Sequence, residues 1–182
     1  MKRIIVAVAV LALTPAFICA GQTAQPETNP VSSAVRTITA RAAKNLVAAA
    51  EEMPADKYGY KPTPQQMTFG KLVEHMAGSN KFLCSKISGV AAPAEEKLSE
   101  TDPKDKLVGA LKASFAYCTQ ALANVDDSKL GEPLTIFGGR TASRAAAMIG
   151  LTNDFADHYS MAAMYLRLNG LLPPTARHEE KK

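Results

Sequence analysis

The chain is predicted to be all-α, a four-helix bundle preceded by a signal peptide, and three observations point there. Alanine is abundant, aromatic residues make up only 6% and Trp is absent. That composition suits helices rather than the aromatic and β-branched strands of a sandwich or barrel. Four segments repeat apolar residues at steps of three and four, the period of a helix with one buried stripe. Cap residues, prolines or glycines bound those segments, as helix ends require. A length of 182 residues with 47% hydrophobic and 21% charged content fits a single domain and is too apolar for a disordered chain.

The first twenty residues have the layout of an export signal. Met1-Lys2-Arg3 is a basic start, Ile4 to Leu13 is unbroken apolar sequence, Thr14-Pro15 interrupts it, and Ala20 offers a small residue for cleavage. The apolar run is short for a bilayer core of about 30 Å. An uncleaved anchor and a lipoprotein modified at Cys19 are the competing readings, and the bulky Phe17 and Ile18 beside Cys19 argue against the second. The expected organisation is a signal peptide over 1–20, a flexible lead-in over 21–29, the bundle over 30–175 and a polar tail over 176–182. The mature protein is expected to be periplasmic or secreted, with no membrane partner after cleavage. Removing Lys2 and Arg3 from 21 basic residues leaves 19 against 17 acidic ones. That balance, with no basic stripe, argues against a nucleic-acid partner.

Asn29-Pro30 is a cap followed by the residue favoured at the first helical position. Val31, Val35, Ile38, Ala42, Leu46 and Ala49 then form the first stripe, which ends before Pro54. A loop over 54–66 carries three prolines. Thr68 caps the second helix, whose stripe is Phe69, Leu72, Met76, Leu83 and Ile87, stopped at Gly89. Asp102-Pro103 is the start expected for the third helix, with Leu107, Leu111, Phe115, Cys118, Leu122 and Val125 inward. A second loop over 126–140 is rich in glycine. Thr141 is the expected cap of the fourth helix. Its stripe is Ala147, Met148, Leu151, Phe155, Ala162 and Leu166, stopped by Asn169-Gly170. A mature chain of this size can bury about two-thirds of its unfolded surface, so it needs no metal merely to fold.

Without Cys19, two cysteines remain, Cys84 and Cys118, 34 positions apart. In an oxidising compartment such a pair is a disulfide candidate. The alternative is two buried thiols acting as small hydrophobes. Neither lies in a C-x-x-C pattern or beside a histidine, so a catalytic thiol is disfavoured.

One set of polar residues interrupts the apolar faces. At 100° per residue His75 lies at the border of the second stripe and His158 near the centre of the fourth. Asp154 is one turn before His158 on the same face. An imidazole in a bundle core is costly unless its nitrogens find partners. Two histidines and a carboxylate from two helices could satisfy one another through a divalent ion, with Zn, Ni or Fe suited to imidazole. The plainer reading is a buried His158 bonded to Asp154 or to a tyrosine hydroxyl, with His75 half-exposed.

The block Thr68-Phe69-Gly70-Lys71-Leu72-Val73-Glu74-His75-Met76-Ala77-Gly78-Ser79, preceded by Tyr60-Lys61-Pro62-Thr63-Pro64, resembles the second-helix region of the DinB-like superfamily. Asp157-His158-Tyr159, Tyr165-Leu166-Arg167-Leu168-Asn169-Gly170 and Pro173-Pro174 resemble its closing helix, and Gly138-Gly139-Arg140 fits ahead of it. The resemblance spans residues 31–175 and implies a four-helix bundle. It also implies a divalent metal held by one histidine of the second helix and an H-x-x-x-H pair of the last. His75 and His158 carry over by position; Asp154 stands where the first histidine of the pair is expected. The implied ligand set is two histidines and one carboxylate, more anionic and harder than three histidines.

Characterised members of that superfamily include thiol-dependent S-transferases and isomerases. The resemblance therefore implies a metal-dependent thiol transferase or hydrolase acting on a small molecule. A non-catalytic metal- or ligand-binding bundle and a purely structural bundle are the alternatives, and a homodimer stays open. No catalytic base is assigned. Glu74 and Asp157 each precede a candidate ligand but point about 100° away on the helix, and Tyr159 is placed likewise. Tyr165 is expected in the core. Arg140 and Arg144 are expected as solvated charges, and His178 lies in the polar tail.

Overall fold

Helix α1 spans Pro30–Glu52 in the computed structural model, which describes residues 26–94 and 97–177. It begins and ends where the prolines place it, but Asn29 does not cap it. Asp127 does so from another part of the chain. Its carboxylate accepts from the backbone N–H of Val31 at 2.9 Å and of Ser32 at 2.8 Å, and from the Ser32 hydroxyl. The Asn29 side chain instead accepts from the backbone N–H of Asp127 at 2.9 Å.

Helix α2 spans Phe69–Ser88. The Thr68 hydroxyl accepts from the Lys71 N–H at 2.9 Å, and Gly89 ends the helix in the left-handed conformation at φ 75°, which costs glycine least. Helix α3 spans Lys104–Leu122. Asp102 is not its cap: its carboxylate accepts from the Ser99 N–H at 2.8 Å and pairs with Lys106 at 3.1 Å. Val125, expected in the third stripe, lies beyond the helix.

The glycine-rich loop holds a small hairpin that the sequence reading does not contain. Strands β1 (Pro133–Thr135) and β2 (Thr141–Ser143) pair antiparallel, and Gly138 and Gly139 make the reversal at φ 69° and 72°. Thr141 therefore pairs with Thr135 instead of capping a helix. The cap is Ser143, whose hydroxyl accepts from the Ala146 N–H at 3.1 Å, and α4 spans Arg144–Leu168. The expected signal segment with Cys19, and residues 178–182 of the expected tail with His178, lie outside the described residues.

The helices pack in the ring order α1–α3–α2–α4. Pairs between them fix their directions. Asn80 meets Ser114 and Cys84 meets Cys118, both at a separation of 34, so α2 and α3 run parallel. His75 faces His158 while Ser79, one turn on, faces Asp154, one turn back, so α2 and α4 run antiparallel. Arg36, early in α1, donates to the carbonyl of Val125 just beyond α3, and the Lys104 ammonium reaches the carbonyl of Glu51 near the end of α1. These two are antiparallel as well.

A parallel neighbour cannot be joined by a tight turn. Residues 97–103 lie back beside the start of α2. Glu100 then accepts from the Thr68 hydroxyl at the start of α2, and its backbone carbonyl lies against Gly70, where any Cβ would collide with it. The cysteine pair ties α2 to α3, with Cα atoms 5.3 Å apart and both side chains buried. The stripes of α2 and α4 are buried as expected: Phe69, Leu72, Met76 and Ile87 meet Met148, Leu151, Phe155 and Leu166 in one core. Among the described residues no helix is long and apolar enough to cross a membrane.

Candidate metal centre

The α2–α4 seam brings all three residues singled out in the sequence to one place. His75 and Ser79 are one turn apart on α2; Asp154 and His158 are one turn apart on α4. Because the helices are antiparallel, these four side chains form two facing rungs. The imidazoles of His75 and His158 meet edge to face with ring centroids 5.1 Å apart. The Ser79 hydroxyl donates to Asp154 Oδ2 at 2.7 Å. Within α4, His158 Nδ1 lies 3.3 Å from the same oxygen. His158 is only 7% exposed and Ser79 is buried, whereas His75 opens to solvent.

The electrostatics favour groups able to bind a cation at neutral pH. Burial, and then the neighbouring His158, hold the His75 imidazole below its usual pKa, so it is neutral and carries a free lone pair. Burial pushes the Asp154 carboxyl up, but the contacts from His158 and Ser79 outweigh this and hold it below the usual carboxylate range. Neutral imidazole and ionised carboxylate are the forms that ligate metals.

Two imidazoles sharing one ion through bonds of about 2.1 Å at near-tetrahedral angles have ring centres about 5 Å apart, and two donor atoms on such an ion are about 3–3.4 Å apart. The observed ring spacing of 5.1 Å is of that size, whereas the 3.3 Å between His158 Nδ1 and Asp154 Oδ2 is a hydrogen bond between the two side chains. Among the described residues, no group of three or more His, Cys, Asp or Glu is placed to hold a metal ion.

The remaining polar candidates are placed elsewhere. Glu74 pairs with Lys71 at 3.0 Å on the helix surface, and Asp157 is exposed. The Tyr159 hydroxyl exchanges hydrogen bonds with Thr175. Tyr165 is fully buried, donates to the carbonyl of Met67 at 2.7 Å and packs against Phe69 and Tyr60. Arg140 is exposed as expected, but Arg144 is not a solvated charge: it is largely buried and pairs with Glu132 at 2.7 Å across the start of α4. A cavity of about 480 Å³ opens on the other side of α4, between it and α1, lined by Ile38, Arg41, Phe155 and Tyr159 among others. None of the three candidate ligands lines it.

Residues 38–160 match the model of the DinB superfamily, more than half of the chain. The chain belongs to the DinB superfamily. Among solved structures, this DinB chain is similar to a DinB-like protein from Bacillus subtilis, 20% identical with a TM-score of 0.61, over 82% of this chain and 95% of that one. A DinB-like protein from Bacillus cereus is 14% identical with a TM-score of 0.64, over 78% and 95%. A mycothiol-dependent maleylpyruvate isomerase is 14% identical with a TM-score of 0.58, over 71% of this chain and 59% of that one. At these identities the likeness is one of fold. No curated protein matches the chain.

Ser79 is the member of the seam that sequence reasoning passes over. The signal available was its position, one helical turn after His75 on the same face. Serine is too common in helices for that spacing to select it without knowing that Asp154 stands opposite.

Proposed function

We propose that this DinB-superfamily protein is exported and holds one divalent transition-metal ion, Zn, Ni or Fe, at the α2–α4 seam through His75, Asp154 and His158. The single observation that carries the reading is the imidazole pair 5.1 Å apart across two helices, with a carboxylate one turn from one of them. Such an ion, when bound, lowers the pKa of a thiol or water that it holds and supplies a nucleophile at neutral pH. The chain's own residues contribute the rest. His75, open to solvent, leaves the seam accessible to a small molecule, and Asp154 brings negative charge to it.

Thiol transfer and hydrolysis are the reactions this site suits, on a small-molecule substrate. The fold shared with a mycothiol-dependent isomerase supports the first. The signal-like residues 1–20 support export, and a compartment poor in low-molecular-weight thiols favours the second.

One observation favours a non-catalytic reading instead. Asp154 already has partners in Ser79 and His158, so the seam is satisfied as a hydrogen-bonded contact between helices. Equilibrium dialysis of the untagged chain against Zn(II) and Ni(II) separates the two readings. The metal reading expects one equivalent bound, lost in His158→Ala with helical content retained. Absence of binding, or equal binding by His158→Ala, leaves the structural reading.

A further inference from the structure

We propose that the cavity between α1 and α4 is a binding site for a small monocarboxylate with an apolar body, anchored by Arg41. It goes beyond the reading of the α2–α4 seam and does not rest on it, since His75, Asp154 and His158 are not among the residues that line this cavity. One face of each helix builds the site. On α1 the lining comes from Ile38, Arg41 and Asn45, and on α4 from Thr152, Phe155 and Tyr159, both sets spaced by three and then four positions. The gap exists because the side chains between them are short. Ala42 and Ala156 face a space of about 480 Å³, within the range of about 300–1,000 Å³ common for small-molecule sites.

The chemistry of the lining selects the ligand. Phe155 is buried and Ile38 and Tyr159 are half-buried, which makes much of the wall apolar. The Tyr159 hydroxyl is held by Thr175, so its ring is fixed beside the cavity. Arg41 is exposed, and its guanidinium makes no hydrogen bond or ion pair with any described residue. Among the described residues no Asp or Glu lines the cavity, so this cation has no counter-charge there. A guanidinium is a planar fork of donors that matches a carboxylate. Asn45, one turn along the same face, adds an amide that is not hydrogen-bonded to any described residue. One cation beside an apolar wall fits one carboxylate on an apolar body, and it disfavours cationic ligands.

The test is binding of 2-naphthoate to the untagged chain, with a chelator present so that no metal contributes. The chain has no Trp, so the probe's own fluorescence anisotropy reports binding. One equivalent is expected to bind, with the neutral 2-naphthamide bound roughly tenfold more weakly, the scale of a lost charge-assisted hydrogen bond. Arg41→Ala is expected to weaken naphthoate binding by a similar factor and to leave the amide unchanged. Arg41→Lys is expected to restore only part of the loss, because an ammonium is a point charge without the fork. Ala156→Leu, at an exposed position, is expected to fill the cavity and abolish binding while circular dichroism and the unfolding midpoint show an intact bundle. Absence of naphthoate binding, equal binding of the amide, or an affinity unchanged in both Arg41→Ala and Ala156→Leu overturns the proposal. Each of those results leaves the reading of the seam as it was, since dialysis against Zn(II) and Ni(II) measures that separately.

Discussion

The carboxylate of Asp127 accepts a hydrogen bond of 2.8 Å from the backbone N–H of Ser32, 95 residues earlier in the chain. It supplies the anion and the acceptor that the start of α1 lacks, a position where negative charge is favoured. Burial pushes this carboxyl up, yet the hydrogen bonds from Ser32 and Val31 outweigh that and hold it below its usual range. A depressed folded-state pKa stabilises above the unfolded value of about 3.9, and that contribution is lost as pH falls through the folded value. Asp127→Ala is therefore expected to lower the urea midpoint at neutral pH, with the gap from the unaltered chain narrowing in acid. A gap that stays constant from neutral pH into the acid range would contradict this.

Gly70 is the second position where distant chain segments meet. Its N–H donates to the carbonyl of Tyr58 at 2.8 Å, and the Glu100 carbonyl occupies the space a Cβ would take. Both neighbours are backbone, so neither yields by changing rotamer. Gly70→Ala is expected to destabilise the fold by about 1–3 kcal/mol, enough to lower Tm by several degrees in a thermal melt. An unchanged Tm would mean that the backbone at Glu100 shifts freely.

The Tyr165 hydroxyl donates to the carbonyl of Met67, two residues before α2 begins. Tyr165→Phe keeps the packing against Phe69 and Tyr60 but leaves that carbonyl unpaired, for an expected loss of about 1 kcal/mol in chemical denaturation. Stability equal to the unaltered chain would show that water replaces the hydroxyl at no cost.

Cys84 and Cys118 stand at disulfide distance between two parallel helices. Mass spectrometry of the purified chain is expected to show a species about 2 Da lighter than its reduced form, the two hydrogens lost on oxidation. Loop-closure entropy for that separation makes the bridge worth about 3–4 kcal/mol, read as a lower unfolding midpoint on reduction. No mass difference removes the bridge.

What the sequence made legible is what neighbours along the chain determine. Pro30, Thr68, Gly89 and Gly170 mark helix ends by chemistry confined to one turn, and the structure has helices ending at each. The stripes of α2 and α4 were visible for the same reason, and His75 and His158 could be placed on their helices by period alone. The misses are long-range. Asn29 looks like a sufficient cap until Asp127 arrives from 98 residues away. Thr141 looks like a cap because the three-residue strands on either side of Gly138-Gly139 are too short to show an alternating pattern. The parallel course of α2 and α3 leaves no local mark, since it depends on where residues 97–103 travel. Ser79 became visible only once the antiparallel rungs set it against Asp154.

We propose that His75 and His158 hold one ion between them. A crystal structure of the untagged chain grown with Zn(II) or Ni(II), with anomalous data collected at the metal edge, tests it most directly. The expected result is a single anomalous peak at the α2–α4 seam within about 2.0–2.3 Å of a nitrogen of both imidazoles, with Asp154 beside it. A seam without a peak, its imidazoles still in edge-to-face contact, would contradict the claim.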